Sequence, residues 1–218
     1  MQEDREFDLI QDLKKVPDPK RLQQQMQFAL EIDKEKNILR QTHLAEHGRR
    51  EDDAEHAWHM ALMAMLLQEY SNEKIDIGRT VMLCLCHDLV EIYAGDTYAY
   101  DEEGKKTQKK READAENRLF DLLPDDQRDF FSGLFDEFEK QETAEAKFAR
   151  AMDNLQPLML NHSNGGGDWK EHGVSFSQVM GRQHHSAEGS EQLFELIDRI
   201  IHLHTDAGDL VDDRESKQ

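Results

Sequence analysis

The sequence predicts an all-α fold, a single helical bundle of about seven to nine helices, on three observations. Long stretches are built from Glu, Lys, Gln, Leu, Met and Ala, the residues that enter a helix at least cost. Only 4 of the 218 residues are proline, so few positions forbid a helix. Apolar residues recur at spacings of three and four instead of alternating. A chain of this length supports one domain over residues 1–218, with its core in 20–205 and a frayed tail at 206–218.

Residues 3–15 and 19–36 read as two helices separated by Pro17-Asp18-Pro19, the second carrying an apolar stripe of Leu22, Met26, Ala29 and Leu30. Residues 37–52 lack clean periodicity and read as a loop. Asp52 or Asp53 caps a helix over 53–70 whose apolar face includes Ala57, Leu62, Met65 and Leu66. Residues 76–93 are apolar nearly all round and read as the central buried helix, ended by Gly95. A polar loop over 96–106 leads to a charged surface helix, 107–122. Pro124 opens the next helix, which carries an aromatic stripe of Phe130, Phe131, Leu134, Phe135 and Phe138. Helix 143–161 should kink or break near Pro157. The loop around Trp169 reads equally as a lid over a cleft or as a structural loop, and residues 175–205 supply one or two closing helices.

Acidic residues outnumber basic ones 47 to 27, a net charge of −20, which argues against broad binding to nucleic acid or to an anionic membrane face. A small phosphorylated ligand stays compatible, because a metal and one or two arginines can reverse the field within a cleft. No apolar run reaches the roughly 20 residues of a membrane span. The acidic start lacks a signal-peptide core. Cys84 and Cys86 lie two apart on a helix and cannot pair with each other, so both are expected reduced and the protein cytoplasmic.

The most informative feature is His87-Asp88 inside the apolar run VMLCLCHDLVEIYAGD. Burying an imidazole beside a carboxylate is costly unless something compensates both, and a divalent cation does. His56 in AEHAWH and Asp153 in KFARAMDNLQ are the other pieces of a single candidate site. Glu91, four residues after His87, falls on the same helical face and is placed for proton transfer. His59 reads as a group supporting a ligand or as helix packing. His43, His47, His162, His172, His184, His185, His202 and His204 read as ordinary core or surface residues.

Three blocks in order, RREDDAEHAWHMALMAMLL, LCLCHDLVEIYAGDT and AEAKFARAMDNLQPLMLN, resemble the HD superfamily of metal-dependent phosphohydrolases, in the small branch that contains the 5′-deoxynucleotidases. The resemblance implies an HD-domain bundle in which His56, His87, Asp88 and Asp153 hold one divalent ion: Mn, Co, Fe, Zn or Mg. It makes Glu91 the catalytic glutamate and Asp96 a second acidic residue contacting nucleotide or water. Arg40 sits where such proteins present a phosphate-binding arginine. Arg49 or Arg50 stands either as a second phosphate contact or as a solvated loop charge. Gln41 replaces the tryptophan that follows the arginine in a characterised deoxynucleotidase, which leaves deoxyribose selectivity open. The implied reaction is hydrolysis of a nucleoside 5′-monophosphate, with Glu91 either taking the water's proton or returning one to the leaving oxygen. The alternatives are another HD phosphohydrolase (a phosphodiesterase or nucleoside triphosphatase) or a catalytically silent nucleotide-binding regulator. A homodimer is expected from the resemblance and from the Phe-rich helix 125–140.

Overall fold

The computed structural model describes residues 7–214. The fold is all-helical apart from one small hairpin. Asp18 caps α1 (Pro19–Glu31), accepting a hydrogen bond from the Arg21 amide. A 3-10 turn, Ile32–Asn37, leads to β1 (Leu39–His43), which pairs antiparallel with β2 (Arg50–Asp52). Then follow α2 (Asp53–Leu67), α3 (Ile77–Cys86), a single turn α4 (Glu91–Ala94), α5 (Glu102–Phe120) and α6 (Asp125–Lys140). The chain closes with α7 (Ala144–Ser163), α8 (Gly167–His172), α9 (Phe176–Gln183), the single turn α10 (Ser186–Gly189) and α11 (Glu191–Asp206).

Several elements depart from the sequence reading. The expected helix 3–15 is, among the described residues, a 3-10 segment over Asp8–Asp12; residues 1–6 lie outside them. The loop 37–52 is a hairpin whose link carries Glu46 and His47 at positive φ, a conformation that apolar periodicity does not signal. The stripe assigned to α1 faces outward at Met26, Ala29 and Leu30, and Phe28 supplies the buried contact instead. On α2 the buried face is Ala57, Met60, Ala61, Met63 and Ala64, while Leu62, Met65 and Leu66 are exposed. That helix is apolar all round, so periodicity alone cannot choose its inner face.

The central buried helix is α7, not the helix of residues 76–93, whose Met82 and Leu85 reach solvent. It crosses Pro157 without breaking. A proline at 157 cannot donate to the carbonyl of Asp153 four residues earlier, and the surrounding helices hold the segment helical regardless. One apolar cluster gathers around α7 with Met60, Leu83, Met152, Leu155, Ile197 and Ile201. A second lies under α1, α5 and α6 with Phe28, Leu119, Phe120 and Phe135. Most of the Phe-rich helix α6 packs into these two clusters: Leu134, Phe135 and Phe138 are buried and the Phe131 ring lies 5.2 Å from that of Phe28, which leaves Phe130 as its exposed aromatic.

Trp169 on α8 is buried, edge-on to His204 of α11 at 5.1 Å, so its loop docks on the C-terminal helix. The segment after α11, expected to fray, is docked through its described residues. Leu210 is buried, and Val211 exchanges backbone bonds with Val174 and Phe176. Gly189 seats α10 on α7: a Cβ there would lie 2.7 Å from the carbonyl carbon of Lys147 and 2.9 Å from Phe148 Cα. Gly189→Ala should therefore force backbone apart and destabilise by about 1–3 kcal/mol. Thermal unfolding checks this, and an unchanged Tm would show that the helices slide freely.

Candidate metal centre

The centre forms where α2, the turn after α3 and α7 meet. A capping box fixes the start of α2: the Asp52 carboxylate accepts from the Glu55 amide, and the Glu55 carboxylate accepts from the Asp52 amide. This turns Asp53 and His56 inward, both fully buried. Helix α3 ends at Cys86, and residues 87–90 form a turn before α4, with Glu91 N donating to Asp88 O. His87 and Glu91 are thus not on one regular helix as their spacing predicts. The turn still delivers His87, Asp88 and Glu91 to the same cleft.

Each histidine has its Nδ1 engaged by a carbonyl oxygen. His56 Nδ1 donates to Gln156 Oε1 at 2.9 Å and His87 Nδ1 donates to the Cys84 carbonyl at 2.9 Å. Placing the proton on Nδ1 leaves each Nε2 lone pair facing the cleft, as metal ligation requires. His56 Nε2 lies 3.1 Å and His87 Nε2 3.7 Å from Asp153 Oδ1, and Asp88 Oδ2 is 3.0 Å from His87 Nε2. Donor atoms of His56, His87 and Asp88 lie within 4.8 Å of one another. His87 Nε2 is buried with no well-aligned hydrogen bond among the described residues. Two imidazole nitrogens and two carboxylates in this arrangement fit a divalent cation of the Mn, Fe, Co or Zn type.

Support comes from behind. Gln156 Nε2 donates to Glu51 Oε1 at 2.6 Å and to His59 Nδ1 at 3.1 Å, so His59 backs His56 through the amide. Arg150 Nη1 and Arg182 Nη2 reach Asp153 Oδ2 at 3.0 and 3.4 Å. Burial opposes a charge on Asp153, but Arg182 and the two imidazoles hold its pKa well below the carboxylate range. Asp88 is likewise lowered, against burial, by His87 and Arg40. Burial lowers His56 to about 4, keeping it neutral. At His87 burial is outweighed by the carboxylates of Asp88 and Asp153, and its pKa rises to about 10, so a bound cation would have to displace a proton from Nε2 to gain that lone pair.

A second set of acids faces the first across Arg40. Asp53, Glu91 and Asp96 bring carboxylate oxygens within 4.8 Å of one another and could hold a cation or share protons. Arg40 Nη1 donates to Asp53 Oδ1 at 3.2 Å and Asp88 Oδ2 at 2.9 Å, tying the two sets together. Burial and the neighbouring carboxylates raise Glu91 well above its usual value and Asp53 to about 7, and Asp96 moves the same way. The cleft holds about 120 Å³ and is lined by Arg40, Gln41, His87, Asp88, Glu91, Asp96 and Asp153.

The geometry thus gathers His56, His87, Asp88, Asp153, Glu91, Asp96 and Arg40, but not Arg50. On the outward side of β2 that side chain lies 3.9 Å from Glu171, while Arg49 pairs with Glu55 in solvent. Besides Arg40, two more arginines line the cleft, Arg150 and Arg182, and both escaped the sequence reading. Arg150 was readable, since it precedes Asp153 by three on one helix. Nothing in the sequence ties Arg182 to it. Asp53 and Gln156 were likewise missed.

Such a fold, with imidazoles and carboxylates from three segments meeting at one cleft, defines a helical protein organised around a candidate metal site. An HD domain model matches residues 32–194, and the chain belongs to the HD domain family. It is similar to 5′-deoxynucleotidase HDDC2 from Homo sapiens, at 33% identity over 111 residues covering 51% of this chain and 53% of that protein. It also resembles a 5′-deoxynucleotidase from Citrobacter koseri, at 29% identity over 48% of this chain and 57% of that protein. The chain therefore spans about half the length of these curated relatives. The crystal structure of a predicted metal-dependent phosphohydrolase from Magnetospirillum magnetotacticum superimposes with a TM-score of 0.84 at 46% identity, covering 88% of this chain and 96% of that one. An HD-domain phosphohydrolase from Listeria innocua, at 16% identity and TM-score 0.54, shares the fold.

Glu35 lies buried in the 3-10 turn after α1, and its Oε1 has no hydrogen-bond partner among the described residues. Burial and the charge of Asp88 raise its pKa to about 8. The native state holds a proton that the unfolded chain releases near 4.5, so stability falls as pH rises from there through 8. Glu35→Gln should match the parent near pH 4.5 and exceed its Tm at pH 9, measured on chelator-treated protein by calorimetry. An unchanged pH profile would show that Glu35 ionises freely in the fold.

Proposed function

We propose that this chain is a metal-dependent phosphohydrolase that removes the 5′-phosphate from deoxyribo- or ribonucleoside monophosphates. The observation that carries the reading is the meeting of His56, His87, Asp88 and Asp153 in a cleft that also holds Arg40, Glu91 and Asp96. The deoxynucleotidase relatives support the substrate class, and the net charge of −20 supports a small ligand over nucleic acid. His56, His87, Asp88 and Asp153 would hold one divalent ion, which when bound supplies Lewis-acid polarisation of the phosphate and orients a water.

The remaining work falls to side chains. Arg40, anchored by Asp53 and Asp88, presents its other donors to phosphate oxygens in a planar fork that lysine does not copy. As the water oxygen bonds to phosphorus and the phosphorus–O5′ bond breaks, the departing oxygen needs a proton. Glu91 is suited to give it, because burial and three neighbouring carboxylates keep its proton on. Asp53 and Asp96, beside it, can take the proton that the attacking water gives up and return it to Glu91, which closes the balance. Gln41, in the cleft wall, stands where sugar selectivity would be set.

We also propose a cytoplasmic homodimer. Cys84 and Cys86 are free thiols, with Cys86 pushed up to about 12 by burial, which suits a reducing compartment. Among the described residues no helix is long and apolar enough to cross a membrane. Residues 56–67 contain no Asp, Glu, Lys or Arg in a chain that is 34% charged, yet Trp58, Leu62, Met65 and Leu66 face solvent beside Met82 and Leu85 of α3. An uncharged apolar face is where two copies of so acidic a chain can approach without repulsion.

Glu91→Gln should lower kcat on a nucleotide panel by about 10²–10⁴-fold while metal content by elemental analysis is retained. Asp88→Asn should lose both activity and metal. Full turnover by Glu91→Gln would remove it from the chemistry. Light scattering should give twice the chain mass, reduced to one chain mass by Leu62→Glu; a monomeric parent protein would end the dimer proposal.

A further inference from the structure

A second cavity, of about 480 Å³, opens beside the cleft and shares a wall with it: Ala99, Tyr100, Arg150 and Arg182 line both. The cleft itself, at about 120 Å³, falls short of the roughly 300–1,000 Å³ that small-molecule sites occupy, whereas the adjoining cavity lies within that range. A phosphoryl group in the cleft would therefore leave the rest of its molecule in the second cavity. This inference rests on reading the cleft as a phosphomonoesterase site.

The lining indicates what that remainder carries. In a chain of net charge −20, the described residues around this cavity include Arg150, Arg182, Lys105 and His185 against one carboxylate, Glu102. Glu102 is itself 3.0 Å from Lys105. Arg182 is the less committed arginine, reaching Asp153 with a single nitrogen at 3.4 Å. Arg150 bonds Asp153 and Glu139 through its two Nη atoms, and His185 pairs with Glu188 at 2.7 Å, so a second phosphoryl group would compete with these carboxylates. Pockets for bare organic groups are lined mainly by apolar and aromatic side chains. Here the wall is cationic, and Tyr100 is the aromatic that both cavities share.

We infer that the second cavity is a phosphoryl subsite, so that the preferred substrate is a phosphomonoester whose leaving group bears a second phosphoryl group. Arg150 and Arg182 sit between the two phosphates, and Lys105 and His185 close the far side. Planar guanidinium groups and a flexible ammonium match the tetrahedral oxygens of such a group.

The test compares 2′-deoxyadenosine 5′-monophosphate with 2′-deoxyadenosine 3′,5′-bisphosphate on the full Mn²⁺-loaded chain, by hydrolysis and by titration calorimetry. A second variant, Lys105→Gln/His185→Gln, alters the far side alone. The bisphosphate should bind about ten-fold tighter and show a KM lower by the same factor. The double variant should lose that advantage while its Tm and its constants for the monophosphate stay unchanged. Equal affinity for the two nucleotides, or an advantage that survives the double variant, would overturn the inference. So would excess inorganic phosphate tightening monophosphate binding as much as the attached group does, since the cavity would then take a separate anion. If neither nucleotide is hydrolysed, the phosphomonoesterase reading fails, and the calorimetric comparison still decides whether the cavity takes a second phosphate.

Discussion

The molecule is organised around the cost of burying charge at one point. His56, His87 and Asp153 are each at most 4% exposed, deep between α2 and α7. An isolated carboxylate there would cost several kcal/mol, so it has to be met by opposite charge and hydrogen bonds. Imidazoles meet Asp153 from one side and two guanidinium groups from the other, and Arg40 does the same for Asp88. Local structure follows from this. The capping box turns the first turn of α2 inward, α3 stops at Cys86 so that a turn can present His87 and Asp88, and α7 sinks to the centre.

The same burial divides the carboxyl groups into two populations. Asp88 and Asp153, touching cations and imidazoles, are held ionised. Glu91, Asp53 and Asp96, a few ångströms away with one arginine among them, are pushed upward. Acid–base chemistry at neutral pH needs this separation, with some acids fixed as anions and others able to carry a proton. It arises without any difference in residue type. Asp88 and Asp153 both approach the His87 imidazole, whereas Asp53, which shares Arg40 with Asp88, is still raised by burial and by the carboxylates around it.

Charge is also distributed by face. On the exposed sides of α5 and α6, Asp and Glu pair with Lys at helical spacings, and α6 is the acidic one of the two. Such pairs contribute little stability individually and serve mainly solubility. The uncharged outer face of α2 and α3, and the cationic cavity lined by Arg150 and Arg182, are the two departures from that acidic surface.

Much of this was legible in the amino-acid order. Helical class and most helix positions follow from local propensity, and His87-Asp88 stands out as a polar pair inside an apolar run, while the joining of His56 and Asp153 to that pair comes from the resemblance to the HD phosphohydrolases. Propensity and such a pair are both properties of short segments. Which face of α2 is buried, that α7 rather than α3 is central, and that residues 39–52 form a hairpin depended on neighbours, because apolar residues on every side of a helix leave its orientation undetermined. Arg50 and Arg182 mark the boundary. One sits beside the metal motif in sequence yet pairs with Glu171 away from the cleft; the other, 29 residues after Asp153, touches it. Charges act through space, so the partners of a buried carboxylate are set by packing, which sequence distance does not measure.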